Sequence, residues 1–207
     1  MRTRTVGLYL YDDVEVLDFA GPFEVFSTAS RVALRRRPDA PAPFRVVTVA
    51  RDKGPVRARA GLPVLPEATL ADHPPLDVLI VPGGAEQDER GEPALMAWLR
   101  AQAAQVEVLA SVCTGAFLLA GAGLLDGRRV TTHWEYVAEL ASGFPALRVV
   151  DTGRWIDDGD IFTSAGIAAG IDMSLHLVAR LADAKLAMAT ARQMDYHWQD
   201  SPGEPQP

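Results

Sequence analysis

The chain reads as a single α/β domain, a sandwich with a mostly parallel sheet and helices on both faces. Three observations predict it. Short, largely apolar runs (6–10, 44–50, 77–81, 106–112), the first with no charge inside it, alternate with segments whose apolar residues recur at helical spacing, the pattern of strands buried on both faces joined by crossover helices. The 207 residues, 48% hydrophobic and 23% charged, are enough for one well-buried core. The only cysteine, Cys113, stands where an apolar run breaks into Thr114-Gly115-Ala116 and a helical pattern begins, as a sharp strand-to-helix turn would place it.

Val6-Gly7-Leu8-Tyr9-Leu10 predicts the first strand. Gly21-Pro22 then predicts a helix start, since proline is tolerated in the first turn, with Phe23, Phe26, Ala29 and Ala33 on one face. The run 44–50 is the second strand. From Arg51 to Ala68 apolar and polar residues alternate around Gly54, Pro55, Gly61 and Pro63, predicting a hairpin or edge excursion. Asp77 to Val81 is a third core strand ending in Pro82-Gly83-Gly84, and Pro93 opens a helix carrying Leu95, Met96, Leu99 and Ala103. The strand before Cys113 and the helix after it come next, closing at Gly121 to Gly127. Val130 to Thr132 predicts another strand and Trp134 to Ala141 a helix. Short strands follow at 148–151, 154–157 and 161–163, then helices at 167–181 and 183–196. The domain is expected to span 1–198, with a Pro-rich tail at 199–207 that frays from Ser201.

Composition narrows the function classes. A net charge of -7 disfavours a nucleic-acid partner, which requires clustered Lys and Arg on one face. The one basic cluster, Arg35-Arg36-Arg37, is expected to close a helix, where cations complement its dipole. The aromatics are scattered instead of gathered beside basic residues, so no base-stacking platform is expected. A single cysteine forms no internal disulfide, and no apolar N-terminal segment suggests a signal peptide or membrane span. The expectation is a cytoplasmic protein without membrane partners.

In a parallel sheet the ligand site lies beyond the carboxyl ends of the strands, and three segments converge there: 10–18, 82–84 and 111–114. Cys113 at a helix start is expected to be a thiolate, its pKa lowered by the positive helix end; a buried cysteine acting as a small hydrophobe is the alternative. Asp18 has two readings, an N-cap of the first helix or a carboxyl aimed across the strand ends at Cys113. Gly83 and Gly84 supply amides suited to an oxyanion hole shared with Thr114, though a tight turn would use the same glycines. His133, beside Trp134, is the histidine placed nearest the nucleophile helix, and a packed structural role explains it as well. His176 follows Asp172 at metal-binding spacing, but two ligands without a third make a poor site. His73 and His197 read as loop and surface residues.

Val81-Pro82-Gly83-Gly84, Ser111-Val112-Cys113-Thr114-Gly115, Gly123-Leu124-Leu125, Thr131-Thr132-His133-Trp134 and Gly166-Ile167-Ala168-Ala169-Gly170-Ile171-Asp172 resemble the motifs of one branch of the DJ-1/PfpI superfamily. That branch contains isonitrile (isocyanide) hydratase and the amidase-like sensor domains of AraC-type regulators. The resemblance implies a flavodoxin-like/Rossmann-like sandwich with a Cys nucleophile elbow, similar to class I glutamine amidotransferases. It implies Cys113 as nucleophile, Asp18 as the acidic residue beside it and Thr114 as the residue bordering the sulfur. Members with protease, amidase or deglycase activity usually place His after the Cys; Thr114 stands there here, which disfavours a Cys-His pair. DJ-1-like stress proteins typically use Glu where this chain has Asp18, which weakens a redox-sensor reading.

The implied reaction is hydration of a small-molecule isonitrile to an N-substituted formamide through a Cys113 thioimidate, with Asp18 as acid and base and with Phe19, Phe23 and Trp134 excluding water. Gly83, Gly84, Thr114, His133 and Trp134 would border the substrate. That chemistry requires no metal or organic cofactor. A homodimer is implied as well, with a shorter C-terminus than the hydratase pattern. The rivals are a small-molecule sensor domain, free-standing because the chain stops near Pro207 without room for a DNA-binding domain, and another hydrolase or glyoxal-processing enzyme using the same thiol.

Overall fold

The computed structural model describes residues 2–202. Strands β1 (Arg4–Leu10), β2 (Phe44–Ala50), β5 (Ala68–Thr69), β6 (Val78–Val81), β7 (Val108–Val112), β10 (Trp155–Asp157) and β11 (Ile161–Ser164) form a seven-stranded sheet in the order β10-β11-β7-β6-β1-β2-β5. Every pairing is parallel except β10 with β11. The central strands β6 and β7 are buried at every position, which is why they read as uninterrupted apolar runs.

Two apolar layers cover the sheet. Helices α1 (Val16–Arg36), α5 (Ala169–Leu181) and α6 (Ala184–Gln193) pack on one face through Phe26, Met173, Leu177 and Leu186, around Leu8, Ile80 and Phe162. Helices α2 (Pro93–Ala103), α3 (Gly115–Gly121) and α4 (Val137–Gly143) cover the other through Leu95, Leu99, Phe117 and Leu140, around Tyr9, Leu79 and Leu109. The α/β sandwich is the one expected. Because neighbouring strands run to β2 on one side of β1 and to β6 on the other, the crevice between β1 and β6 is where an open sheet of this kind takes its ligand.

Three local expectations are corrected. Helix α1 starts at Val16, five residues before the expected Gly21-Pro22, and Pro22 lies inside it. Proline within a helix forfeits one backbone bond, and the apolar residues Val16, Leu17, Phe19 and Ala20 extend the helix to its N-terminal side all the same. Glu15 is therefore the N-cap position, and Asp18 sits within the first turn instead of capping it. Second, residues 129–130 (β8) pair with Arg148–Val149 (β9) in a separate two-stranded sheet, while Thr131 and Thr132 leave the strand to bond to the main sheet. Third, the stretch 134–141 is split into a short 3-10 turn, Trp134–Tyr136, and α4.

At the C-terminus, Gln199 donates its N–H to Asp172 and the Pro202 carbonyl accepts from Arg154 N–H. Residues 203–207 of the expected tail lie outside the described residues. The excursion after β2 is a hairpin as expected, Val56–Arg57 (β3) against Pro63–Val64 (β4). Arg35 and Arg36 occupy the last turn of α1. Among the described residues no helix is long and apolar enough to cross a membrane.

Candidate active site

The end of β7 carries Cys113 into a backbone conformation that side chains rarely adopt, φ 55°, before α3 begins at Gly115. Only surrounding structure that over-determines such a residue keeps it there, and here several bonds do. The Cys113 N–H donates to the Ser164 carbonyl at 3.1 Å, and the Cys113 carbonyl accepts from Thr132 Oγ1 at 2.8 Å. Thr131 N–H donates to Thr163 Oγ1 at 2.8 Å, so the Thr131-Thr132 pair fastens the turn to β11. Gly115 is required by contact: a Cβ there would lie 2.1 Å from the Val81 carbonyl oxygen, because α3 starts directly over the end of β6.

Asp18 reaches this turn from α1. It is fully buried, its Oδ2 accepts the Gly83 N–H at 3.0 Å, and its Oδ1 has no hydrogen-bond partner among the described residues. Burial pushes the carboxyl up to about 7 against the opposing pull of the Gly83 N–H and the nearby thiol. Cys113 is 7% exposed. Burial, and then the charge of Asp18, push its thiol up to about 12, although the Thr114 and Ile167 N–H groups favour the thiolate. The expected helix-end activation is therefore corrected: desolvation of the sulfur outweighs the amides of a helix only seven residues long, and the resting group at neutral pH is a thiol beside a carboxyl that titrates.

The two glycine amides expected in an oxyanion hole are already engaged. Gly83 N–H is held by Asp18, and Gly84 N–H donates to Thr114 Oγ1 at 3.0 Å. The glycines serve to brace the two side chains that flank the sulfur. Thr114 borders Cys113 through its backbone N–H, while its hydroxyl donates at 2.8 Å to Glu86 Oε2. Glu86 is itself buried and paired with Arg90, whose guanidinium lies 3.9 Å above the Phe117 ring.

His133 and Trp134 take different places. The mostly buried His133 ring lies against Gly166, and its Nδ1 accepts the Glu135 N–H at 3.3 Å, capping the short turn; the structural reading fits these contacts. Trp134 is 75% exposed, Phe23 is also exposed, and Phe19 belongs to the core on the α2 face. These three do not form the enclosing wall that was expected. Asp172 bonds to Arg154 and His176 to Asp157, so the pair does not converge, and among the described residues no group of three or more His, Cys, Asp or Glu could hold a metal ion.

Residue-type reasoning missed three participants. Ile167, also at positive φ (28°), has a backbone N–H that favours the Cys113 thiolate; its signal was the Gly166 turn before α5. Glu86 follows the double glycine at the distance needed to fold back on Thr114. Tyr11 donates to the Pro82 carbonyl at 3.2 Å, and burial together with the charges of Glu86, Asp18 and Cys113 keeps its phenol neutral.

The family model of the DJ-1/PfpI family matches residues 4–180. The chain belongs to the DJ-1/PfpI family. Within it, this DJ-1/PfpI chain is 38% identical over 196 residues to the isonitrile hydratase of Pseudomonas putida, covering 92% of the chain and 78% of that protein. It is 32% identical over 193 residues to the HTH-type transcriptional regulator GbdR of Pseudomonas aeruginosa, covering 93% of the chain and only 51% of the regulator. Among solved structures, a ThiJ/PfpI family protein from Pseudomonas syringae superposes with a TM-score of 0.83 at 28% identity, over 100% of this chain and 78% of the other.

Proposed function

We propose that this DJ-1/PfpI protein is a Cys-dependent isonitrile hydratase, adding water to a small isonitrile to release an N-substituted formamide. The observation that carries the reading is the pairing of the only thiol, Cys113, with a buried carboxyl, Asp18, whose titration is moved to about 7. The similarity to an isonitrile hydratase supports it.

The terminal carbon of an isonitrile accepts a nucleophile once a proton reaches that same carbon. The Asp18 carboxylate takes the thiol proton and delivers it to the carbon as the sulfur bonds there, giving a thioimidate, R–N=CH–S–Cys113. Asp18, again a carboxylate, then draws a proton from water while the hydroxide oxygen adds to the imidate carbon. As the C–S bond breaks, Asp18 passes that proton to the nitrogen and the hydroxyl proton of the adduct goes to the leaving sulfur, so formamide leaves with the thiol restored and Asp18 again a carboxylate. No step of this sequence calls for a metal or an organic cofactor. Leu17, Phe23, Ile167 and Trp134 are exposed apolar side chains of the segments that build the site, and a homodimer that covers them would supply the missing wall.

A second reading is favoured by one observation: with the thiol protonated and the Gly83 and Gly84 amides occupied, the same geometry suits a ligand sensor, and the regulator GbdR is also similar. The test is incubation of the purified protein with an aryl isonitrile, following formamide by chromatography, beside Cys113→Ala and Asp18→Asn. Turnover by the parent and none by either variant is expected. Turnover that survives Cys113→Ala rejects the covalent route, and saturable binding without turnover selects the sensor.

A further inference from the structure

Arg154 stands at the entrance to β10 and makes two attachments that bracket one short segment. Its backbone carbonyl accepts the Ala165 N–H at 2.8 Å. Its guanidinium pairs with the fully buried Asp172 through Nε at 2.7 Å and through a second nitrogen at 2.6 Å. Between these anchors run Gly166, Ile167 and the start of α5. The segment is pressed onto the nucleophile strand, since a Cβ on Gly170 would lie 2.8 Å from Val112 Cγ1. Ile167 in its middle has a φ that an unrestrained residue of its type abandons, and its backbone N–H is one of the two amides that favour the Cys113 thiolate.

The C-terminal residues complete the clamp from outside. Tyr196 Oη donates to Asp172 Oδ2 at 3.1 Å, Gln199 N–H to Oδ1 at 3.0 Å, and Trp198 Nε1 to the Asp172 carbonyl at 3.3 Å. A buried carboxylate with all of these partners, set one helical turn from the site and touching none of the reacting groups, has no part in the hydration sequence given above.

We propose that Arg154 and Asp172 are a positioning pair for the nucleophile: together they hold the Gly166–Ile167 turn so that the Ile167 amide is presented to the Cys113 sulfur. The proposal rests on Cys113 being the reactive group of this site, and it requires no particular substrate. Releasing either anchor lets Ile167 relax to negative φ, turns its N–H away and removes a hydrogen bond that stabilises the thiolate; a bond to a charged group of this kind changes an ionisation equilibrium about tenfold or more.

The single thiol makes the test direct. The rate of Cys113 alkylation by iodoacetamide at pH 8, read by intact mass, is compared in the parent, Asp172→Asn, Arg154→Lys and Asp157→Asn. The last removes the surface bonds of α5 to Asp157, made by His176 and Arg180, and leaves the bracket intact. Asp172→Asn is expected to alkylate about tenfold more slowly, Arg154→Lys several-fold more slowly, and Asp157→Asn at the parent rate. If Asp172→Asn does not fold, Arg154→Lys carries the comparison. An unchanged or faster rate in the bracket variants, or equal slowing in Asp157→Asn, overturns the proposal. The alkylation readout holds whether or not any isonitrile is turned over, so it separates this inference from the hydratase reading; where turnover exists, kcat falls while KM is unchanged.

Discussion

Replacing Asp18 with Asn should make the protein gain stability, relative to the parent, as pH rises from 5 to 8. The amide oxygen of Asn can keep the Gly83 N–H, so the exchange chiefly removes a buried charge. In the parent, the carboxyl moves from 3.8, its ordinary value, to about 7 on folding. Between those values the unfolded chain has released a proton that the folded chain still holds, so stability from this group is full below about pH 4 and is lost as pH rises through 7. Three units at about 1.4 kcal/mol each give a limit of about 4 kcal/mol, and for a chain of this size each kcal/mol moves the Tm by about 2–4 °C. About two of those three units fall between pH 5 and 8, so thermal melts of parent and Asp18→Asn at half-unit steps should diverge by roughly 5–10 °C across the window, with the parent falling. Parallel curves between pH 5 and 8 would show that Asp18 ionises normally in the fold, and the acid-base assignment would go with it.

Three further outcomes are expected. Gly115→Ala drives a methyl into the Val81 carbonyl and should cost about 3 kcal/mol in a urea titration, at the upper end of overpacking. Thr132→Val is close in shape but removes the bond to the Cys113 carbonyl; a loss of about 1 kcal/mol with a larger fractional loss of turnover would separate bracing of the elbow from bulk stability. Finally, if Asp18 accepts the thiol proton, kcat/KM of the parent for an aryl isonitrile should rise with pH along a limb centred near 7; a profile flat between pH 5 and 8 would refute it.

The sheet was legible because its central strands are buried on both faces, which forces β6 and β7 to be apolar throughout, and the crossover helices announce themselves by spacing. The elbow was legible from one residue, since Cys113 falls where an apolar run meets a helix start. The start of α1 was not, because Pro22 at a helix beginning is the commoner pattern and Pro22 within a helix has no distinguishing local signal. Which amides remain free around the sulfur was hidden for another reason. It depends on where the Asp18 and Thr114 side chains turn, and those rotamers are set by tertiary contacts with Gly83, Gly84 and Glu86. The state of the thiol was misjudged because a helix start is visible in sequence and desolvation is not. The Arg154–Asp172 bracket joins residues eighteen apart with no motif of their own to mark the pairing.

The corrected thiol state separates two kinds of chemistry at one sulfur. Alkylation needs only a thiolate, and the charge of Asp18 disfavours it. Removing that charge in Asp18→Asn should lower the thiol pKa and raise the iodoacetamide rate at pH 8 several-fold, to the extent of about one unit of relief. Addition to an isonitrile needs the proton as well as the sulfur pair, delivered to the same carbon, and the Asn variant has no group to carry it. The same substitution should therefore speed one reaction and stop the other. A conventional activated thiolate, with Asp18 merely tuning its pKa, would instead change both rates in the same direction. Measuring the two side by side on a chain with a single cysteine decides between them, and joint acceleration would require Asp18 to be dropped as the proton carrier.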